Sequence, residues 1–241
     1  DRTAGANPIR QPLSNLNEAG QLYGPIIYEK APIVMRQLEM IVGERRFRDG
    51  LREYLKTYAF GNATWQELIR ILDARTSENL AAWSRAWVDE RGRPEFTAAL
   101  RLTDDDRIER LTLTMNDPHR RGLVWPQRMR VTLGYAGSQR DVAVYANAAT
   151  TTVRKAAGMP RPLYVLPNGA GLGYGLFVLD QASADYLLGN IERVPDALTR
   201  GAAWVTLWDN LLESRVDPRD LIDLALRALP RETDEQNTQR V

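Results

Sequence analysis

Few side chains in this sequence can carry chemistry, and their scarcity sets the first exclusions. There is no cysteine and one histidine, His119. Without cysteine the chain forms no disulfide, no Cys-ligated zinc site, no iron–sulfur cluster and no thiol nucleophile. A site that takes two imidazoles cannot be built from this chain alone. A serine triad would need His119, which sits in the turn signal Asn116-Asp117-Pro118-His119-Arg120-Arg121-Gly122, and no Gly-x-Ser-x-Gly elbow occurs. His119 therefore reads as an exposed loop residue. Asp104, Asp105 and Asp106 are contiguous, not spaced as in a calcium loop, and read as a solvated turn. The run Gly169–Gly175 has glycine at every second position, but its last glycine is displaced from the dinucleotide fingerprint and Leu176–Asp180 after it reads as strand. A hairpin turn is the better reading there.

Charge and apolar patterning narrow the field further. Lys and Arg number 32 and Asp and Glu 31, a net charge of +1, so no basic excess points to nucleic acid or an anionic membrane. The one dense basic stretch, Glu44–Arg52, interleaves its arginines with Glu44, Asp49 and the following Glu53, which predicts a salt-bridged outer helix face. Trp83, Trp87, Trp204 and Trp208 sit at helical spacing and are expected in cores. No apolar run approaches about 18 residues, so no transmembrane helix is expected. The first twenty residues lack the apolar centre of a signal peptide. The compartment stays open.

The elements that must hold any site fall into three blocks. Residues 1–25 read as an irregular lead-in with Gly5, Gly20, Gly24, Pro8, Pro12 and Pro25, as though cut from a longer chain. From Tyr28 to about Asp89 the pattern is helical. Val34, Leu38 and Ile41 form one stripe and Phe47, Leu51, Leu55 and Tyr58 another, with Pro32 in a first turn and Gly43 between the helices. The second helix is expected over Glu44 to Phe60. Thr64-x-x-Glu67 is a capping box, Ser77 is a candidate cap for a fourth helix carrying Leu80, Trp83 and Trp87, and Gly92 and Pro94 stop it. After Pro94 the period becomes two. About seven short strands over 94–180 predict a small antiparallel β-sandwich. Helix resumes at Ser183. Pro195–Leu212 should bury Leu198, Ala202, Val205, Trp208 and Leu212, a further helix capped by Asp217 should reach Leu229, and the polar tail should end without a closing helix.

One constellation is more specific. Ile26-Ile27-Tyr28-Glu29-Lys30-Ala31, then Leu38, Gly43, Phe47, Gly50, Leu51, Tyr54, Leu55 and Asn62, resembles the aminopeptidase N (membrane alanyl aminopeptidase) family of zinc metallopeptidases. That family has Tyr-x-Lys-Gly at a helix start, then Leu, Gly, Phe, a Tyr-Leu pair and an aromatic-x-Asn; here Ala31 stands for the glycine. Asn7-Pro8-Ile9 sits where a His-Pro pair is common. Trp87-Val88 with Gly92-Arg93-Pro94 is similar to the family's passage into its sandwich. Leu166-Pro167-Asn168, Gly173-Tyr174-Gly175, Asp180, Arg200-Gly201, Leu207-Trp208-Asp209 and Glu232-x-Asp234 continue the likeness.

The resemblance implies an α+β multidomain architecture. Residues 1–93 would be the helical C-terminal part of a thermolysin-like catalytic domain, 94–180 a β-sandwich domain, and 181–241 the truncated start of a helical C-terminal domain. The His-Glu-x-x-His zinc motif and the distal glutamate ligand are absent, and the family places them before the tyrosine. The chain is thus expected to be a C-terminal portion of a zinc aminopeptidase, itself binding no metal and inactive. Zinc and peptide substrates belong to the parent enzyme, with the upstream rest of the catalytic domain as a partner and no nucleic acid. By resemblance, Tyr28 would stabilise the oxyanion; Arg10, Glu29 and Lys30 would line or support the cleft, a role not separable from packing. The alternatives are a non-catalytic pseudo-peptidase or interaction scaffold with the same architecture, and an independent helical and sandwich adaptor.

Overall fold

The computed structural model describes residues 7–240, apart from 16, 18, 19, 21–23 and 25. Gly5 and Pro25 lie outside the described residues. The chain forms two compact units, residues 1–93 with Trp125–Gln127, and residues 94–124 with 128–241.

In the first unit a π-helical turn, Ile26–Lys30, runs directly into helix α1, Ala31–Val42, with Pro32 in its first turn where a missing N–H costs nothing. Val34, Leu38 and Ile41 are buried, as the stripe predicts. Gly43 at φ 91° ends α1 in a conformation that favours glycine. Helix α2, Glu44–Thr57, stops three residues short of Phe60, which lies at φ 60° with its ring in solvent. Its second stripe is only half-buried and Leu55 is exposed. Helix α3, Trp65–Asp73, opens on the full capping box: Glu67 N–H donates to the Thr64 hydroxyl at 3.4 Å and Thr64 N–H donates to the Glu67 carboxylate at 2.6 Å. Helix α4, Leu80–Ser84, is capped by Asn79, which accepts from Ala82 N–H at 2.9 Å, not by Ser77. Asn79 holds the position immediately before the helix, where a side-chain oxygen reaches the free N–H groups. A second π-helical segment, Arg85–Asp89, closes the block with an Arg85 carbonyl accepting from Glu90 N–H at 3.0 Å. The indoles of Trp83 and Trp87 both donate to the Pro126 carbonyl, at 3.0 and 3.1 Å, tying residues 125–127 to this unit.

The second unit contains mixed structure: two small sheets rich in antiparallel pairing, then helices. The strands are β1 Glu95–Leu102, β2 Ile108–Asn116, β3 Gln127–Tyr135, β4 Ser138–Ala146, β5 Thr150–Thr152, β6 Tyr164–Leu166 and β7 Leu176–Val178. One sheet has the order β5-β2-β1-β7 and the other β4-β3-β6. Every predicted run forms a strand, but one pairing departs from the all-antiparallel expectation: β7 runs parallel to β1, with Phe96 opposite Phe177 and their rings stacked at 5.2 Å. Alternation fixes which face a residue occupies and says nothing of direction. The glycine run is therefore no hairpin. It carries the chain from β6 in one sheet to β7 in the other, held by Asn168, whose side chain accepts from Gly173 N–H at 2.8 Å and donates to the Gly173 carbonyl at 3.1 Å.

The helices are α5 Gln181–Asn190, α6 Ala197–Leu212, α7 Pro218–Ala228 and α8 Glu235–Arg240. Asp180, Asp196 and Asp217 cap the first three. Two expectations fail here. The tail does form a short helix, α8, whose start is held by Asp234 accepting from Asn237 N–H at 3.1 Å. On α6 the buried residues are Thr199, Gly201, Ala203, Trp204, Thr206, Leu207 and Asn210, whereas Leu198, Val205, Trp208 and Leu212 are exposed. The helix is apolar on both faces, and the one with the polar residues is the one that packs. It joins Leu187, Ile191, Val194, Leu221 and Leu224, with Tyr164 and Leu166 of β6, in one core.

Candidate functional site

Tyr28 sits at the centre of the π-turn Ile26–Lys30, 67% exposed, with Ile26 and Ile27 half-buried before it. Its N–H and that of Ile27 donate to the Gly24 carbonyl, at 3.1 and 3.0 Å. Two residues on, Lys30 is turned inward and only 3% exposed, and its ammonium donates to the Gly92 carbonyl at 3.3 Å. Gly92 has φ 94°, which favours glycine, so this carbonyl is aimed by a backbone conformation most residues avoid. The lead-in reaches the same end of the unit. Arg10 N–H donates to the Val88 carbonyl at 3.0 Å, and its guanidinium meets Asp89 at 3.1 Å in a largely exposed pair. Such a pair contributes about 0–1 kcal/mol. Glu29 faces solvent. The structure thus separates residues that sequence left together: Tyr28 is displayed, Lys30 is an internal anchor, and Arg10 ties the lead-in to the π-helical segment Arg85–Asp89.

The remaining candidates resolve into structural parts. His119 is exposed in a turn organised by Asp117, which accepts from the His119 and Arg121 N–H groups at 3.0 and 2.8 Å and from the Arg121 guanidinium. Burial opposes the Asp117 charge, but the Arg121 guanidinium and these N–H groups outweigh it and hold the carboxyl below its ordinary value. Asp104–Asp106 is a turn, in which the Thr103 hydroxyl donates to Asp105 at 2.6 Å and lowers its pKa. Among the described residues no group of three or more His, Cys, Asp and Glu is placed to hold a metal ion. On α2, Asp49 pairs with Arg52 at 3.4 Å and Glu53 with Arg75, so the salt-bridged face forms in part. Trp83, Trp87 and Trp204 are core residues as expected; Trp208 is 54% exposed.

Two features escaped sequence reading as sites of tight bonding. Arg200 and Glu232 form a two-pronged ion pair, at 2.9 and 2.7 Å, and Asn210 bridges α6 to β7. The depth of Lys30 had a signal: it stands between Ile26-Ile27 and Ile33-Val34, in an apolar context.

Comparison with known proteins bears out the resemblance. Residues 1–87 match the Peptidase family M1 domain. The chain is similar to the aminopeptidase N of Streptomyces lividans, 25% identical over 248 residues, covering 97% of this chain and 29% of that protein. Over shorter stretches it is similar to the puromycin-sensitive aminopeptidase of Caenorhabditis elegans, 31% identical over 45% of this chain and 11% of that protein. It is also similar to the tricorn protease-interacting factor F2 of Thermoplasma volcanium, 29% identical over 46% of this chain and 14% of that protein. The chain therefore spans under a third of the length of these relatives, and it resembles aminopeptidases of the M1 peptidase family.

Proposed function

We propose that this chain is the C-terminal portion of a zinc-dependent aminopeptidase that removes N-terminal residues from peptides. The likeness to aminopeptidase N over 97% of the chain carries the reading. In it, residues 1–93 are the helical end of a thermolysin-like catalytic domain, 94–180 the sandwich, and 181–241 the start of a helical C-terminal domain. The residues described here do not make a zinc site. On the likeness to aminopeptidase N, the metal and the water it activates are assigned to the longer protein, and the chain alone is expected to be inactive.

What this chain contributes is a hydrogen-bond donor. Attack on a peptide carbonyl leaves negative charge on the former carbonyl oxygen. Tyr28 suits that oxygen: a phenol is a neutral O–H donor at pH 7 on a rigid stem, and its ring stands out from the unit. The donation strengthens only as charge develops, so it acts on the transition state and not on substrate binding. The test is Tyr28→Phe in the full-length enzyme. The ring stays and the O–H goes. The expected loss is about 10²–10³ in kcat with little change in KM, zinc content or Tm. Near-parental kcat would return Tyr28 to a packing role.

A further inference from the structure

We infer that Lys30 is a positioning residue for Tyr28, holding the turn that presents the phenol through its bond to the Gly92 carbonyl. The inference rests on the oxyanion role proposed for Tyr28. A π-helical turn is rare and recurs at functional sites. This one spans five residues, and Tyr28, being 67% exposed, has little side-chain burial to fix it. Lys30 supplies a fixed point two residues away. Its ammonium is inside the unit at 3% exposure, and its bond to the Gly92 carbonyl spans 62 residues of sequence. Burying an ammonium costs several kcal/mol, so an apolar side chain of similar length would serve packing at least as well. What the apolar chain cannot do is grip a carbonyl. The Gly92 carbonyl is in turn aimed by φ 94° at the exit of the π-helical segment Arg85–Asp89, the segment that Arg10 also holds. A displacement of about 1 Å at a reacting group can cost of the order of 10²-fold in rate, which is the scale such a tether guards.

The experiment is a double-mutant cycle in the full-length enzyme: Lys30→Met, Tyr28→Phe and both together, each read as kcat, KM and Tm. Lys30→Met is expected to lower kcat by about tenfold to a hundredfold with KM nearly unchanged, and to cost almost nothing more once Tyr28→Phe is present, because the lysine acts only through the hydroxyl. Lys30→Gln, which keeps a donor without the charge, should retain more kcat than Lys30→Met, and it replaces Lys30→Met should that variant fail to fold. The inference is overturned if Lys30→Met keeps parental kcat while only Tm falls, or if its loss is as large in the Tyr28→Phe background. Parental kcat in Tyr28→Phe alone would instead overturn the oxyanion reading itself.

Discussion

The turn Ile26–Lys30 and helix α6 both sort side chains against polarity, and they do so for different ends. In the turn a tyrosine is put out and a lysine is brought in. In α6 four large apolar residues, Leu198, Val205, Trp208 and Leu212, are put out while Thr199, Thr206 and Asn210 are brought in. The polar residues of α6 are fully engaged. Thr206 donates to the Ala202 carbonyl one turn back at 2.7 Å, and Thr199 donates to its cap Asp196 at 2.8 Å and accepts from Gln139 at 3.0 Å. Asn210 donates to the Phe177 and Thr206 carbonyls at 2.8 and 2.7 Å and accepts from Leu179 N–H at 3.2 Å. Polar burial in α6 thus stitches a helix to a strand and is explained by stability. Polar burial in the turn fixes a backbone carrying an exposed phenol, and under the role proposed for Tyr28 it serves activity. Substitutions in α6 should therefore move stability and those in the turn activity.

Among the polar residues of α6 the largest effect is expected at Asn210. Asn210→Ala strands the Phe177 carbonyl and the Leu179 N–H at the edge of β7, and each buried group left unpaired costs about 1–3 kcal/mol. We expect a loss of about 3 kcal/mol in the second unit, seen as a lower denaturant midpoint at unchanged slope. A loss below about 1 kcal/mol would show that water reaches these groups, and the contrast with Lys30 would weaken.

That Asn210 matters was hidden for the same reason that the buried face of α6 was misread. Apolar periodicity marks a core face when the other face is polar. Here Leu198, Val205, Trp208 and Leu212 form the cleaner stripe, and the true face is interrupted by Thr199, Thr206 and Asn210, whose partners lie up to 60 residues away. Features with local causes were legible. The capping box at Thr64 and Glu67 needs only three residues, and the glycine at 43 only its own φ. Strand positions were legible because alternation is local; the parallel pairing of β7 with β1 was not, because it depends on where the chain re-enters the sheets. Tyr28 was legible only through resemblance. The inward Lys30 needed the structure, since Gly92 is 62 residues off.

Next in size is the Arg200–Glu232 pair, which joins α6 to the segment before α8. The Arg200 guanidinium, with the Asp234 backbone N–H and the Asn237 side-chain amide as further donors, overcomes burial and holds the Glu232 carboxyl down at about 2, from 4.5. Glu232→Gln should cost about 2 kcal/mol, less than the 3–5 kcal/mol of a fully buried pair because the arginine keeps some solvent contact. The pH dependence has a definite sign. The folded value lies below the unfolded one, so the contribution is complete above about pH 4.5 and is lost as pH falls toward 2. The parent should therefore lose its advantage over Glu232→Gln in that window when both are melted across pH 2–6. An advantage constant down to pH 2 would assign the stability to packing.

The smallest effect is expected where the sequence pattern pointed to a core. Trp204 and Trp208 are one turn apart on α6, the first 5% and the second 54% exposed. Truncating a buried tryptophan costs about 3–5 kcal/mol in lost transfer energy and cavity. An exposed one leaves little behind, and surface changes usually stay within about 0.5 kcal/mol. Trp208→Gln should accordingly leave the Tm of this chain nearly unchanged, while Trp204→Ala lowers it by several degrees. Thermal melts of the two variants beside the parent decide the matter. If Trp208→Gln costs as much as Trp204→Ala, the outer face of α6 is packed in solution. Its apolar residues would then be buried for stability as its polar ones are, and the turn at Tyr28 would be the one place in this comparison where a large side chain is displayed.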